Sequence, residues 1–425
     1  MDIEIDVMKE YTAICTSMGQ AAKQAAATLQ LLSTEDRNGI VLAIADTLKR
    51  YSGDIVKANE LDMKRAKLAG ISTTMLDRLR VDEKRISEMV EGVRQVADLE
   101  EPIGGILETI HRPNGLMIEK KAVPLGVVAM IYEARPNVTV DAAVLCLKSG
   151  NAAILRGGKE AMETNKAIVA FIQKTLVDVG LPKKAVQLVP ITDRAVVPIL
   201  LKQREYIDVA IPRGGAGLIQ RVVASSTVPV IETGSGVCHI YVDEQADYKK
   251  VLPIIINAKV QRPSVCNAVE TLLIHRDRVE DCLLPICEAL GEQGVIIYGD
   301  TTVCSYYDKS NLASDIAWST EYNDLMINIK VVDSLAQAIE HINTYGTHHS
   351  ECIITEDETG ATVFMNSVDA AVVYVNASTR FTDGFEFGFG AEIGISTQKL
   401  HSRGPMGLQA LTSYKYYVHG KGQIR

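Results

Sequence analysis

The chain has no Cys-x-x-Cys pair, although it carries eight cysteines, at positions 15, 146, 238, 266, 282, 287, 304 and 352. Thiols scattered in this way fit reduced side chains in a reducing compartment rather than a disulfide framework. No basic, apolar leader opens the sequence; MDIEIDVMKE is acidic where a secretory signal is positively charged. No apolar run approaches the ~18–20 residues of a membrane span. These absences predict a cytoplasmic protein with no membrane partner. Nor is there a surplus of positive charge. The net charge is −9, which argues against a nucleic-acid surface, so an anionic ligand must find its own local basic residues. Adjacent histidines occur once, at His348-His349. Read as strand neighbours they face opposite ways, and no metal site is expected. Glycine-rich turns are present, but the Gly-x-Gly-x-x-Gly dinucleotide fingerprint is missing.

What is present is an ordinary globular composition over 425 residues, with 47% hydrophobic and 23% charged side chains. That length supplies two or three domains with full cores. Residues 1–100 read as helices. Ser33 is placed to cap one whose apolar stripe is Ile40, Ala43, Ile44, Thr47 and Leu48; Asp82 caps another, with Ile86, Met89, Val90, Val93 and Val96 on one face. Asn114-Gly115, between alternating residues of 108–121, is a hairpin signal. From position 123 strands and helices alternate. Strands are expected at 125–132, 152–155, 186–189, 207–211, 228–231 and 240–242, with helices at 138–149 and 160–179. Further strands are expected at 268–274, 295–298, 327–332, 371–375 and 413–419. The alternation predicts doubly wound parallel sheets, which take ligands at the carboxyl ends of their strands. Two glycine turns fall at such ends: Arg156-Gly157-Gly158-Lys159, and Pro212 to Gly217, which opens a helix. Backbone amides at a glycine turn and a helix N-terminus favour phosphate oxygens.

One cysteine stands apart. Cys266 lies in the middle of NAKVQRPSVCNAVETLLIH, residues 257–275. Pro263 shapes the approach to it, and a buried strand follows. A thiol on a rigid loop at the edge of a sheet is where a nucleophile is held. A lone cysteine is more often one more buried small residue, and both readings stand at this point.

The stretch around Cys266 resembles the active-site segment of the gamma-glutamyl phosphate reductase family, also called glutamate-5-semialdehyde dehydrogenases, a branch of the aldehyde dehydrogenase superfamily. The resemblance runs from about residue 40 to the end. It is carried by PLGVVAMIYEARPNVTVDAAVLCLKSGNAAILRGGKEA from position 124 and by IDVAIPRGGAGLIQRVV with VPVIETGSGVCHIYVD after it. It continues in VVDSLAQAIEHINTYGTHHSECIITED from 331 and VNASTRFTDGFEFGFGAEIGISTQKLHSRGPMGLQALTSYKYYVHGKG from 375. The fold it implies is α/β, aldehyde dehydrogenase-like, with two doubly wound parallel-sheet domains and a small β oligomerisation element. The NADP(H)-binding domain is expected over 1–107 and 123–240, and the catalytic domain over 241–385. A return segment covers 386–404. The oligomerisation hairpin, 108–122, joins a C-terminal strand in 405–425 that is placed to pair with the hairpin of another subunit.

The resemblance also implies roles. Cys266 is the nucleophile, and Asn137 helps its backbone N–H stabilise the oxyanion. Arg156, Gly157, Gly158, Gly214, Gly215, Glu232 and Glu321 line the NADP(H) site, with Arg156 suited to a 2′-phosphate. Glu232 lies where the superfamily keeps a water-activating glutamate. Its neighbour Thr233 departs from that pattern, so lining the nicotinamide pocket is its expected part. Cys238 and His239 read as structural. Arg380 and Arg403 are the cations for substrate. The implied reaction is NADPH-dependent reduction of L-glutamyl 5-phosphate to L-glutamate 5-semialdehyde through a cysteine thioester, in L-proline biosynthesis. The alternative is a non-phosphorylating NAD(P)-dependent aldehyde dehydrogenase. A homo-oligomer, functionally coupled to a glutamate 5-kinase but not fused to it, is the expected assembly.

Overall fold

Helices come first in the structure, a computed structural model that describes residues 2–425. They are α1 (Asp2–Leu29), α2 (Thr34–Arg50), α3 (Ser52–Leu68), α4 (Thr73–Leu79) and α5 (Glu83–Asp98). The caps read from the sequence are in place. The Ser33 hydroxyl accepts from the Asp36 amide at 3.1 Å while the Asp36 carboxylate takes the Ser33 amide, and Asp82 accepts from the Arg85 amide at 2.9 Å. Each such cap stabilises its helix by about 1 kcal/mol. Ile40, Ile44 and Leu48 of α2 and Ile86, Val90, Val93 and Val96 of α5 are buried, so both stripes face the core.

A hairpin follows, β1 (Ile106–His111) and β2 (Met117–Pro124), closed at Gly115, whose φ of +87° is open to glycine. Then come β3 (Val127–Tyr132), α6 (Pro136–Lys148), β4 (Ala152–Arg156), α7 (Met162–Asp178), β5 (Val186–Leu188), α8 (Val196–Leu200), β6 (Val209–Arg213) and α9 (Ala216–Ser225). The strands make a four-stranded parallel sheet in the order β5-β4-β3-β6. The strand expected at 228–231 shrinks to a single parallel bridge between Ala210 and Val230. Pro229 sits in its centre and has no N–H to extend a ladder.

A second series runs β7 (Cys238–Val242), α10 (Tyr248–Val260), β8 (Val269–His275), α11 (Leu284–Glu292), β9 (Ile296–Gly299), α12 (Thr301–Tyr306), β10 (Asn311–Leu312), β11 (Met326–Val332), α13 (Leu335–Tyr345), β12 (Ser350–Ile354), α14 (Glu358–Ser367) and β13 (Val372–Val375). Seven strands pair in parallel, in the order β10-β9-β11-β8-β7-β12-β13. Two short strands, β14 (Ile395–Ser396) and β15 (Gly404–Pro405), form an antiparallel pair. The chain ends on β16 (Thr412–His419).

β16 departs from expectation. It pairs antiparallel with β2 of its own chain, from Thr412 opposite Pro124 to His419 opposite Met117, and completes a sheet β1-β2-β16. The eight-residue in-chain ladder takes one edge of the strand and leaves β16 at the margin of the sheet. The chain divides into two compact units. One holds the chain through Thr233 with Gly388–Gly394 and Met406–Arg425; the other holds Gly234–Phe387 and Ile395–Pro405. No helix among the described residues is long and apolar enough to cross a membrane.

Candidate active site

The loop that carries Cys266, residues 261–268, joins α10 to β8, and its stem is closed by two buried charges. Lys259, in the last turn of α10, meets Glu270, the second residue of β8, at 2.8 Å, with neither side chain exposed. The other Glu270 oxygen accepts from the Asn323 amide at 3.2 Å. Burial pushes Glu270 up and Lys259 down, and each charge offsets the other's desolvation. Removing either partner leaves the other buried and unpaired.

Behind the thiol the chain is held at its backbone. Gly236 lies so close that a Cβ there would overlap the Cys266 carbonyl. The Cys238 thiol donates to that same carbonyl at 3.1 Å, and burial holds it protonated, its pKa pushed well above the usual thiol range. Glu321 accepts from the Gly236 amide at 2.8 Å and Thr347 from the Val237 amide at 2.9 Å. Glu321, expected on a cofactor ribose, here holds the segment that packs against the Cys266 carbonyl. Glu351 accepts from both the backbone amide and Nδ1 of His239, at 2.6 and 3.1 Å. Burial pulls His239 down to about 3, so it is neutral. Every one of these groups sits just before a strand or at its first residues: Gly236 before β7, Cys266 before β8, Glu321 before β11, Thr347 before β12. The thiol thus stands at the amino ends of the sheet, not the carboxyl ends.

A second grip comes from the segment after β13. Asn376, at φ +54°, turns the chain back while its amide group accepts from and donates to the Thr355 backbone. Thr379 then donates to the Asn267 carbonyl at 2.7 Å, and Asn267 donates to the Thr382 carbonyl at 2.8 Å. Half-buried Arg380 donates from Nη1 to the Asn267 side chain and from Nε to Gln261 at 3.1 Å. It holds the loop at residues on either side of the thiol. Arg403 is placed differently. Its guanidinium meets Asp369 at 2.7 Å beside Lys399, and the two cations pull Asp369 down to about 2. Of the two arginines expected at the substrate, Arg380 is the one bonded to the thiol loop.

The first unit carries a cleft of about 790 Å³ beyond the carboxyl ends of its strands. Tyr132, Glu133 and Arg156 line it, with Gly158, Lys159 and Arg194. Arg156 is nearly buried and donates to the carbonyls of Gly157, Thr192 and Asp193 at 2.8, 3.0 and 3.4 Å. Burial lowers its pKa. Lys159 and Arg194 are exposed cations of the same cleft. A Cβ at Gly158 would come within 3.1 Å of the Ala134 amide. Gly157 packs against the Asn165 side chain, and Gly214 against Glu133. The Gly215 amide, expected to face a phosphate, donates to Glu133 at 3.3 Å. Glu232 is half-buried beside Thr233, whose hydroxyl donates to the Pro212 carbonyl at 2.9 Å. Asn137 is exposed at the second residue of α6 and donates to Asp141 at 3.3 Å. Size, apolar walls and cations fit a dinucleotide carrying phosphates.

His348 and His349 precede β12 rather than lie in it, with His348 at φ +61°. Among the described residues one trio brings ligand atoms within 4.8 Å of one another: Glu244, His275 and Asp277. Its carboxylates are exposed, and His275 Nδ1 already accepts from the Asp277 amide at 3.2 Å. Gly236, Lys259, Glu270 and Asn267 escaped the sequence reading. Nothing local marks them, because each matters only through a contact made in the folded chain.

The sequence model of the aldehyde dehydrogenase family matches residues 6–292. The gamma-glutamyl phosphate reductase of Clostridium beijerinckii is 54% identical over 407 residues, covering 96% of this chain and 98% of the relative. That of Moorella thermoacetica is 54% identical over 408 residues, with 96% and 97% covered. The crystal structure of the Thermotoga maritima gamma-glutamyl phosphate reductase superposes with a TM-score of 0.95 at 45% identity, covering 97% of this chain and 99% of that one. An acetylating aldehyde dehydrogenase from Geobacillus thermoglucosidasius, 17% identical with a TM-score of 0.68 and 99% of each chain covered, shares the fold.

Proposed function

We infer the function of a chain that belongs to the gamma-glutamyl phosphate reductase family, within the aldehyde dehydrogenases: it reduces L-glutamyl 5-phosphate to L-glutamate 5-semialdehyde, releasing phosphate, in L-proline biosynthesis. The observation that carries the chemistry is Cys266 on a loop held from behind by Gly236 and Cys238 and from the side by Arg380. A nucleophile must meet its carbonyl at a fixed angle, and a loop held in this way supplies that.

Cys266, as the thiolate, attacks the acyl carbon of the substrate. The carbon–sulfur bond forms, the carbon–oxygen bond to phosphorus breaks, and phosphate leaves with the electron pair. A backbone N–H at Cys266 stabilises the oxyanion. The reductant in this reading is NADPH, which when bound supplies the hydride that reduces the thioester. Arg156 orders the cleft by holding the turn at Thr192 and Asp193, and Gly158 lets the turn after β4 pack against the backbone of Glu133 and Ala134. Lys159 and Arg194 supply positive charge for a 2′-phosphate. The enzyme acts in the cytoplasm, and the sheet β1-β2-β16, with Tyr414, Tyr416 and Val418 exposed, serves a homo-oligomer. Functional coupling to a glutamate 5-kinase follows from the lability of an acyl phosphate.

The test runs the reaction backwards. Oxidation of glutamate 5-semialdehyde by NADP is expected to require inorganic phosphate, to saturate with it, and to accept arsenate in its place. The readout is NADPH formation in a buffer free of other small oxyanions. Full-rate turnover without phosphate, yielding free glutamate, overturns this reading in favour of a non-phosphorylating dehydrogenase.

A further inference from the structure

The second unit contains five arginines, at 262, 276, 278, 380 and 403. Three are bound to carboxylates: Arg276 to Asp333, Arg278 to Asp281 and Arg403 to Asp369. Among the described residues Arg262 and Arg380 make no ion pair; Arg262 belongs to the thiol loop and Arg380 is bonded to it. Arg262 lies four positions before Cys266 and is exposed. Arg380 grips Gln261 and Asn267, the neighbours of Arg262 and Cys266 respectively, so its guanidinium spans the loop between them. Those contacts use two of its five N–H donors. Burial weakens its hold on its proton and the Arg262 charge does so further, whereas the charges of Asp383 and Cys266 act the other way. Asp383 itself accepts from the Phe385 amide at 2.9 Å and the Glu386 amide at 3.4 Å. In a chain of net charge −9, two arginines unpaired with carboxylate beside one thiol make a local anion site.

We propose that Arg262 and Arg380 together bind the phosphoryl group at Cys266. Resting on the function proposed above, the pair neutralises phosphate as it departs from the acyl carbon. In the reverse direction it holds inorganic phosphate for attack on the thioester. There a phosphate oxygen bonds to the carbonyl carbon, the carbon–sulfur bond breaks, and the thiolate leaves with the electron pair. Two planar guanidiniums suit a tetrahedral dianion better than one. Arg403, held by Asp369, is not part of the pair.

The test uses two readouts on the full chain. The first is alkylation of Cys266, followed on its own peptide by mass spectrometry, with iodoacetate against neutral iodoacetamide. The anion site predicts a preference for iodoacetate, suppressed by inorganic phosphate; Arg262→Gln lowers that preference roughly tenfold. The second is turnover of glutamate 5-semialdehyde. Arg262→Gln raises KM for phosphate roughly tenfold to a hundredfold and leaves KM for the semialdehyde within about twofold. Arg380→Lys, which keeps the charge but loses the fork, falls between the wild type and Arg262→Gln, and it guards against collapse of the loop in Arg380→Gln. No charge preference and no phosphate protection in the wild type would overturn the pair even if turnover needs phosphate. A rise in the semialdehyde KM instead would assign these arginines to the substrate carboxylate and also overturn it. Wild-type turnover that ignores phosphate would defeat the underlying function, and the leaving-group role with it.

Discussion

The four-stranded sheet and the seven-stranded sheet use opposite ends. In the first unit the cleft opens past the carboxyl ends of β3, β4 and β5, where Tyr132, Arg156 and Arg194 stand. In the second, Cys266 and its braces precede β7, β8, β11 and β12. A doubly wound sheet takes ligands at its carboxyl ends because the helix N-termini that follow each strand point there. The amino ends lack that field. What they offer is a row of backbone N–H groups that side chains can hold, as Glu321 holds Gly236, Thr347 holds Val237 and Glu351 holds His239. One end is suited to receiving a charged ligand, the other to fixing a reacting atom.

The largest effects should therefore follow from disturbing the fixed atom. Cys266→Ser is expected to cut turnover in both directions by more than about 10³-fold, with cofactor binding to the isolated cleft unchanged by fluorescence titration. Retention of a substantial rate would remove the nucleophile from this loop. Gly236→Ala tests the brace instead of the thiol. Because the new methyl overlaps the Cys266 carbonyl, the loop must move, and a shift of that order costs about 10²-fold in kcat. Near-normal kcat with normal Cys266 alkylation would mean that the loop is softer than its contacts imply.

The next effect is on stability. Lys259→Met leaves Glu270 charged or forces it neutral in a site with no exposure, and should destabilise the second unit by about 3–5 kcal/mol in denaturant unfolding. Lys259→Met combined with Glu270→Leu should recover most of the loss, since an apolar pair replaces a buried ionic one at little net cost. A double variant as unstable as the single would show that the charges themselves are needed.

Acid should separate the two units. His239 and His341, both buried in the second unit, are pulled down to about 3 by desolvation from an ordinary 6.5. Their folded pKa is depressed, so the unfolded chain binds more protons below 6.5. The stability present above that pH is lost as pH falls from about 6.5 to about 3, by at most roughly 1.4 kcal/mol per pH unit for each histidine. Glu351 and Glu270, pushed up by the same burial, act in the opposite sense down to an ordinary 4.5 and offset the histidines there, so the loss emerges below that pH. The histidines of the first unit, His111 and His419, are exposed. Hydrogen exchange at about pH 4, below the carboxyl window, is expected to open the second unit before the first; equal loss in both would break this distinction.

Much of this architecture was legible in the sequence. Caps and periodicity placed α2 and α5, and apolar runs bounded by turns placed most strands within two residues, because those signals are local. The resemblance around Cys266 singled out the thiol. What was not legible depends on tertiary neighbours. Nothing in the sequence marks Lys259 and Glu270 as partners until a helix and a strand meet. Gly236 is thirty residues from the carbonyl it must clear, and the alternation of strand and helix pointed to the carboxyl ends, whereas Cys266 stands at the amino ends. The strand expected at 228–231 is cut to a single bridge because Pro229 has no N–H for a ladder.

The smallest expected effect, cofactor choice, asks how far the carboxyl-end cleft reads its ligand. Arg156 was the residue expected to contact a 2′-phosphate. In the fold its guanidinium faces three backbone carbonyls and is nearly buried, so removing it releases the turn at Thr192 and Asp193 before it removes a charge from the ligand. Arg156→Ala should then weaken NADPH and NADH alike. Lys159 and Arg194 carry exposed charge on the same cleft, and exposed charge acts weakly through solvent. Lys159→Ala and Arg194→Ala should each weaken NADPH by a few-fold, about 0.5–1 kcal/mol, with NADH less affected. Titration of each variant with both cofactors at two salt concentrations checks this, because the NADPH-specific part should shrink as salt screens it. If Arg156→Ala alone abolishes the preference, the guanidinium reads the phosphate directly, and the carbonyls of Gly157, Thr192 and Asp193 must give way when the cofactor binds.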